Sequence, residues 1–277
     1  MNTYEDSTSA TIEDPSIALG SATLERSVTS RSKIVVMLPA YNEAEALPAL
    51  LNEIEFAFDE AQIPYEVIVV DDGSSDDTAL LASQASFHMP VQCITHVQNQ
   101  GLAGALRTGV AAALAATKPG DVIVTMDADN TQPPGSVERM IQMIREGHDV
   151  VIASRYQHGS QIVGVPGYRN FLSFGARALF TVMFPIRGVR DYTCGFRAYR
   201  HEILRRADEY YGDQLVSEKG FSCMVDMLLK LHRFKPVVGE VPFILRYDQK
   251  GGASKMRVLK TVFQTIHVLI RRRLNLR

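Results

Sequence analysis

The sequence predicts an α/β protein with a mainly parallel sheet flanked by helices. Between residues 33 and 156, apolar strand-like runs alternate with helix-like periodic stretches, joined by short loops. That alternation is the mark of parallel strands with crossover helices. The apolar runs are unbroken rather than alternating, as in strands covered on both faces. Three of the strand ends carry acids or amides, which fits the carboxyl edge where open α/β sheets bind ligands.

The first strand is Lys33 to Leu38, followed by Pro39-Ala40-Tyr41-Asn42-Glu43. Asn42 with Glu45 reads as a capping box. The helix after it runs to about Ala61, with Leu47, Leu50, Leu51, Ile54 and Phe58 on one face. Tyr65 to Val70 is the second strand and ends in Asp71-Asp72-Gly73-Ser74. Gly73 permits a tight turn, and Ser74 is placed to cap a helix beginning near Asp77. Val91 to His96 is the third strand, and an Ala-rich helix follows Asn99-Gln100-Gly101, its small residues letting it lie close on the sheet. Val122 to Met126 is the fourth strand, with Pro134 opening the next helix. Asp149 to Ala153 is the fifth, ending in Ser154-Arg155-Tyr156.

The second half is less regular. Tyr168 to Phe184 reads as an apolar helix with Arg169, Ser173 and Arg177 on one face. Residues 191–197 read as a turn. Helices follow near Arg200 to Tyr210 and Gly220 to Leu231, and Pro236 to Leu245 reads as a strand. A basic, glycine-rich loop runs from Arg246 to Lys255. The division expected is a disordered Ser/Thr-rich tail over 1–31, a catalytic domain over 32–253, and a basic amphipathic helix over 254–277.

Composition excludes several classes. At 46% hydrophobic residues the chain is not globally disordered. A net charge of -2 argues against a nucleic-acid binder. Cys93, Cys194 and Cys223 are far apart, with no metal or redox spacing. No basic-then-apolar leader opens the chain, and no window reaches the roughly 18 apolar residues of a membrane span. The expectation is a cytoplasmic protein, peripheral on the cytoplasmic face of a membrane.

The chemistry centres on Asp127 and Asp129, just past the fourth strand. In an extended chain, residues two apart point the same way, so the two carboxylates converge. Such a pair repels unless a cation sits between them. Oxygen ligands suit Mg2+ or Mn2+, and a hard ion with few protein ligands completes its shell with phosphate oxygens. That reading is a metal-bridged diphosphate; the plainer one is Asp129 capping the next helix.

These pieces, in order, are Leu38-Pro39-Ala40-Tyr41-Asn42-Glu43, Val69-Val70-Asp71-Asp72-Gly73-Ser74, Asn99-Gln100-Gly101, Met126-Asp127-Ala128-Asp129, Ser154-Arg155-Tyr156, Arg169 with Ser173, Asp191 with Gly195-Phe196-Arg197, and Gly252-Ala253-Ser254-Lys255. The set resembles glycosyltransferase family 2, and within it the polyprenyl-phosphate (dolichol-phosphate mannose synthase-like) group, over roughly residues 33 to 257. The resemblance implies a GT-A fold and an inverting, metal-dependent transfer. The hexose would move from a nucleotide-sugar, GDP-mannose or a UDP-hexose, to a polyprenyl phosphate at a membrane surface.

It also implies residue roles. Pro39, Tyr41, Glu43 and Asp71 or Asp72 would hold the nucleoside, with Arg246, Lys250 and Lys255 closing on the diphosphate. Asp127 and Asp129 would hold the metal. The family places Gln or Ser two positions after the second Asp, where this chain has Thr131 followed by Gln132, so the third ligand stays open. Arg155, Arg169 and Ser173 would steer the acceptor phosphate, which is already ionised and needs steering more than a general base. Asp191 would orient acceptor or sugar, or serve as base if the acceptor were a saccharide hydroxyl. A nicotinamide dehydrogenase is disfavoured because the turn from Pro39 to Glu45 has no glycine. A sugar nucleotidyltransferase would want a basic, glycine-rich loop at that turn, and a non-catalytic nucleotide-sugar sensor would not need the acidic pair.

Overall fold

The computed structural model describes residues 32–164, 181–220 and 222–249. The expected N-terminal tail, residues 165–180 with Arg169, Ser173 and Arg177, Lys250, and the expected C-terminal helix with Lys255 lie outside the described residues.

The five expected alternations are β1 (Ile34–Ala40), α1 (Leu47–Glu60), β2 (Tyr65–Asp71), α2 (Thr78–Ala85), β3 (Val91–Thr95), α3 (Gly101–Ala116), β4 (Val122–Thr125), α4 (Ser136–Arg145) and β5 (Val150–Ser154). They are followed by β6 (Gln161–Val163), β7 (Arg197–Arg200), α5 (His201–Tyr211), α6 (Ser222–His232), β8 (Val238–Pro242) and β9 (Ile244–Arg246). The main sheet has the order β3-β2-β1-β4-β7-β5-β8, and β6 with β9 makes a separate two-stranded sheet. Pairings are parallel except those of β7 with β4 and β5.

Apolar runs account for this sheet. Val35, Val36, Ile68, Val69, Ile123, Val124, Val151 and Ile152 are buried completely, as strands sandwiched between helix layers must be. The small residues of α3 act as expected: a Cβ on Gly109 would sit 2.6 Å from the Met37 sulfur, so this helix lies nearly on β1.

The chain order reverses between β1 and β4. β1 feeds β2 on one side, while β4 lies on the other. Such a switch point leaves a crevice at the carboxyl ends of the two strands. The acidic segments found in the sequence flank that crevice.

Four local expectations are corrected. Asn42 does not cap α1, whose N-cap is Ala46 without a side-chain bond. Asn42 instead adopts φ 53° and accepts the Ser75 N–H. Ser74 does not cap α2; its hydroxyl accepts the Asn42 N–H. Pro134 precedes α4, which starts at Ser136. The turn expected over 191–197 leads into a strand, β7, because Arg197 and Arg200 find buried carbonyl acceptors.

Gly73 closes the turn after β2 at φ 70°, where a Cβ would stand 3.0 Å from the Asn99 backbone nitrogen. Gly73→Ala therefore meets both left-handed strain and backbone crowding, together about 2 kcal/mol. A lowered denaturant midpoint at unchanged slope is the expected result; an unchanged midpoint would contradict this account of the turn.

Candidate active site

The ends of β1 and β2 form one corner of the crevice, with Ala40 paired to Asp71. The two loops beyond are stitched together. Ser74 Oγ accepts from Asn42 N at 2.9 Å, Thr78 Oγ1 from Glu43 N at 2.9 Å, and Asp76 Oδ2 from Ala44 N at 3.1 Å. This fixes Tyr41 and Glu43 beside the carboxyl edge, and Tyr41 stays exposed there.

The two neighbouring aspartates differ sharply. Asp72 is 3% exposed and its carboxylate is fully engaged. Oδ1 accepts the Gln100 N–H at 2.9 Å and contacts His96 Nδ1 at 2.7 Å, and Oδ2 accepts the Gly101 N–H at 2.8 Å. Asp72 thus holds the first turn of α3, an anion at a helix N-terminus, and His96 reaches on to Thr108. Asp71 accepts one longer bond, from Ser74 N at 3.3 Å. Asp71 is as deeply buried, at 1% exposed, but its carboxylate is less fully engaged, whereas Asp72 is a buttress for α3.

Asp127 and Asp129 stand past the end of β4, which the Met126 N–H ties to Met37 O of β1 at 3.1 Å. Extended geometry does not bring them together, since the chain turns at 128–129 and Asn130 is left-handed at φ 56°. Their orientation comes from neighbours. Thr131 donates to Asp129 Oδ1 through its backbone N–H at 3.2 Å and its hydroxyl at 2.7 Å. Gln132 Nε2 donates to Asp127 Oδ2 at 2.7 Å, and its Oε1 accepts the Asp127 N–H at 3.0 Å. Both carboxylates are half-buried. Asp129 does not cap α4, whose N-cap, Gly135, makes no side-chain bond.

The donor set fits a hard divalent ion. It is all oxygen and anionic, and it is oriented by neutral groups. Among the described residues no cluster of three His, Cys, Asp or Glu side chains could hold a metal alone. Two carboxylates, with phosphate and water completing the shell, is how Mg2+ is ordinarily bound.

The far wall of the edge is Arg155, after β5, and Asp191, in the segment entering β7. Asp191 is 0% exposed. Its carboxylate takes Arg155 Nε at 2.7 Å, Arg155 Nη2 at 2.7 Å and the Arg155 N–H at 3.1 Å. It also accepts the Thr193 and Cys194 N–H groups, and Arg155 Nη2 donates to Thr193 Oγ1. Burial pushes the Asp191 carboxyl up, but the Arg155 charge and these bonds outweigh it and hold it below the usual carboxylate range. Burial, then the Asp191 charge, push the neighbouring Cys194 thiol up to about 12, so it is inert.

The segment is held from behind by Glu240 of β8, whose Oε1 accepts the N–H groups of Arg190 at 2.6 Å and Asp191 at 2.7 Å. Arg197 is fully buried and donates to Tyr192 O and Met224 O, so the Gly-Phe-Arg segment is structural at its arginine. At the near rim, the Arg246 N–H donates to Thr131 O at 2.9 Å, which seats β9 on the Asp-x-Asp loop. The Arg246 guanidinium pairs with Asp248 at 2.9 Å.

The structure therefore brings Pro39, Tyr41, Glu43, Asp71, Asp127, Asp129, Thr131, Arg155, Asp191 and Arg246 to one edge. Gln132, Thr193, Glu240 and His96 were not assigned roles from sequence. Gln132 had a visible signal, its place in the Asp-x-Asp segment; Glu240 had none, because its partners are distant in the chain.

Residues 35–207 match the sequence profile described as Glycosyl transferase family 2. The chain is also 34% identical over 240 residues to a dolichol-phosphate mannosyltransferase of Pyrococcus furiosus, covering 86% of this chain and 63% of that one. The chain belongs to glycosyl transferase family 2. A polyprenol monophosphomannose synthase of Mycolicibacterium smegmatis is 30% identical over 253 residues, covering 90% and 91% of the two chains. An undecaprenyl-phosphate mannosyltransferase of Micrococcus luteus is 32% identical over 225 residues, covering 81% and 87%. Compared with the Pyrococcus enzyme, then, this chain spans less than two thirds of the length. The fold is GT-A: a glucosyl-3-phosphoglycerate synthase of Mycobacterium tuberculosis, solved with Mn2+, UDP and glucosyl-3-phosphoglycerate, superposes with a TM-score of 0.61 at 22% identity, covering 87% of this chain and 80% of that one.

Proposed function

We propose that this protein transfers a hexose from a nucleotide-sugar to the phosphate of a polyprenyl (dolichyl-type) lipid, with inversion and with Mg2+ or Mn2+. The observation that carries the reading is the pair of oriented carboxylates, Asp127 and Asp129, at the β1/β4 switch point. The names of the relatives, all polyprenyl-phosphate enzymes, support the acceptor.

Asp127 and Asp129 hold the ion, with Thr131 positioning Asp129. When bound, the metal neutralises the charge that builds on the leaving nucleoside diphosphate. Pro39, Tyr41, Glu43 and Asp71 take the nucleoside, and Asp72 keeps their corner rigid through α3. Arg246, Lys250 and Lys255 belong to the loop over the diphosphate. Arg155 takes the acceptor phosphate, the role also assigned to Arg169 and Ser173 from the sequence. Asp191 fixes the Arg155 fork through Nε and Nη2, and Nη1 is not among those bonds.

The step is one displacement. An acceptor phosphate oxygen bonds to the anomeric carbon as the bond from that carbon to the diphosphate oxygen breaks. No proton need move, because a phosphate monoester with a second pKa of about 6 is already ionised at neutral pH. A saccharide hydroxyl would need a base poised near the working pH. Asp191, buried, saturated with donors and held low in pKa, is badly suited to that task. The lipid side is supported by Val163 and Ile244, exposed on the small sheet beside Arg246, and by the basic, apolar 254–277 segment. No helix among the described residues is long and apolar enough to cross a membrane. A lipid-phosphate acceptor places the work at a membrane surface, expected to be the cytoplasmic face.

The test is incubation with labelled GDP-mannose, UDP-glucose or another UDP-hexose, together with polyprenyl phosphate and Mn2+ or Mg2+. Label is expected in the organic phase and is lost with EDTA. Label moving instead to a soluble saccharide would overturn the lipid acceptor.

A further inference from the structure

Gln132 is 3% exposed, unusually deep for an amide beside an active-site rim. A buried amide costs stability unless it is bonded, and this one spends both ends on a single residue. Nε2 reaches Asp127 Oδ2 and Oε1 takes the Asp127 backbone N–H. The bonds span five positions of chain and close the loop on itself. Between them, Asn130 is left-handed and Thr131 holds Asp129.

The chemistry of the clasp is specific. A lysine or arginine at this place would orient Asp127 but cancel its charge. A neutral amide orients it and leaves the negative charge for a cation. The other oxygen, Oδ1, faces the entry to β7, where a Cβ on Gly195 would come within 3.4 Å of it. The Oδ2 side of Asp127 is thus held by the amide before any ligand arrives, and the lack of a Cβ at Gly195 leaves room beside Oδ1.

We infer that Gln132 is a positioning residue for the divalent cation. It holds the Asp127 carboxylate in the geometry that, with Asp129, binds the ion, without being a ligand itself. This rests on the metal reading above. Partners that orient metal ligands cost about 10- to 100-fold in metal affinity when removed.

The experiment measures Mn2+ affinity of the full chain by electron paramagnetic resonance of unbound Mn2+, with UDP and separately with GDP. Gln132→Met keeps the length of the side chain in its buried slot and removes both bonds; Gln132→Ala is the second variant. Each is expected to bind Mn2+ about 10- to 100-fold more weakly, with the Gln132→Met melting temperature near that of the native chain. Saturating Mn2+ should restore sugar transfer to Gln132→Met but not to Asp129→Ala. Native affinity in folded Gln132→Met would overturn the inference and leave the proposed function standing. A native chain that binds no Mn2+ with either nucleotide would overturn both.

Discussion

Asp129→Ala is expected to lower sugar transfer about 1000-fold. Metal stabilisation of a leaving diphosphate is worth several kcal/mol, and each 1.36 kcal/mol is tenfold in rate. The fold should survive, because Asp129 is half-buried at a loop and its bonds to the Thr131 N–H and hydroxyl stay within one turn. Activity measured beside an unchanged melting temperature separates the two effects. Asp129→Asn should be nearly as poor, since it keeps shape and loses charge. Asp72→Ala should behave in the opposite way, losing stability first, because His96 and the α3 N-terminus lose their acceptor. Asp129→Ala with near-native transfer would remove the acidic pair from the mechanism.

Asp191→Asn is the second large effect. Breaking a buried ion pair from one side leaves a charge without its partner, at a cost of about 3 to 5 kcal/mol. The Arg155 side chain is partly open to water, which places the expected loss near the lower figure. For a chain of this size, that corresponds to a melting temperature lower by about 10 °C. The pH dependence follows from the depressed Asp191 carboxyl. A group with a lowered folded pKa gives stability that is complete above its unfolded value, about 3.9. That stability is lost as the pH falls through the folded value. The gap between native chain and variant should therefore be constant near neutral pH and close in acid below about pH 4. A gap that widened on acidification would contradict the pairing. Transfer should fall too, because Arg155 loses the fork that aims it.

The fold was legible where burial is symmetrical. Unbroken runs such as Ile34 to Leu38 and Val122 to Val124 have no polar face, so only a covered parallel strand suits them. β7 was hidden for the converse reason. Arginines are mostly exposed, yet Arg197 and Arg200 are both buried because carbonyls of Tyr192, Met224 and Ile144 receive them. Those acceptors lie 5 to 56 positions away, beyond any periodicity. The site followed the same rule. Asp127 and Asp129 stood out because acids rarely end an apolar strand. Local spacing misled at Asn42, which has the look of a cap but serves a neighbouring loop. Nor could spacing divide Asp71 from Asp72, since their difference lies in which one the α3 N-terminus claims. Glu240 has no local signature; it becomes meaningful only when β8 lies against β5.

Anomalous diffraction at the manganese edge, from crystals grown with Mn2+ and UDP or GDP, tests the central claim most directly. The expected peak lies between the Asp127 and Asp129 carboxylates, with the diphosphate bound to it and the nucleoside at the Tyr41 to Glu43 corner. A peak elsewhere, or a diphosphate bound away from these two aspartates, would contradict the account.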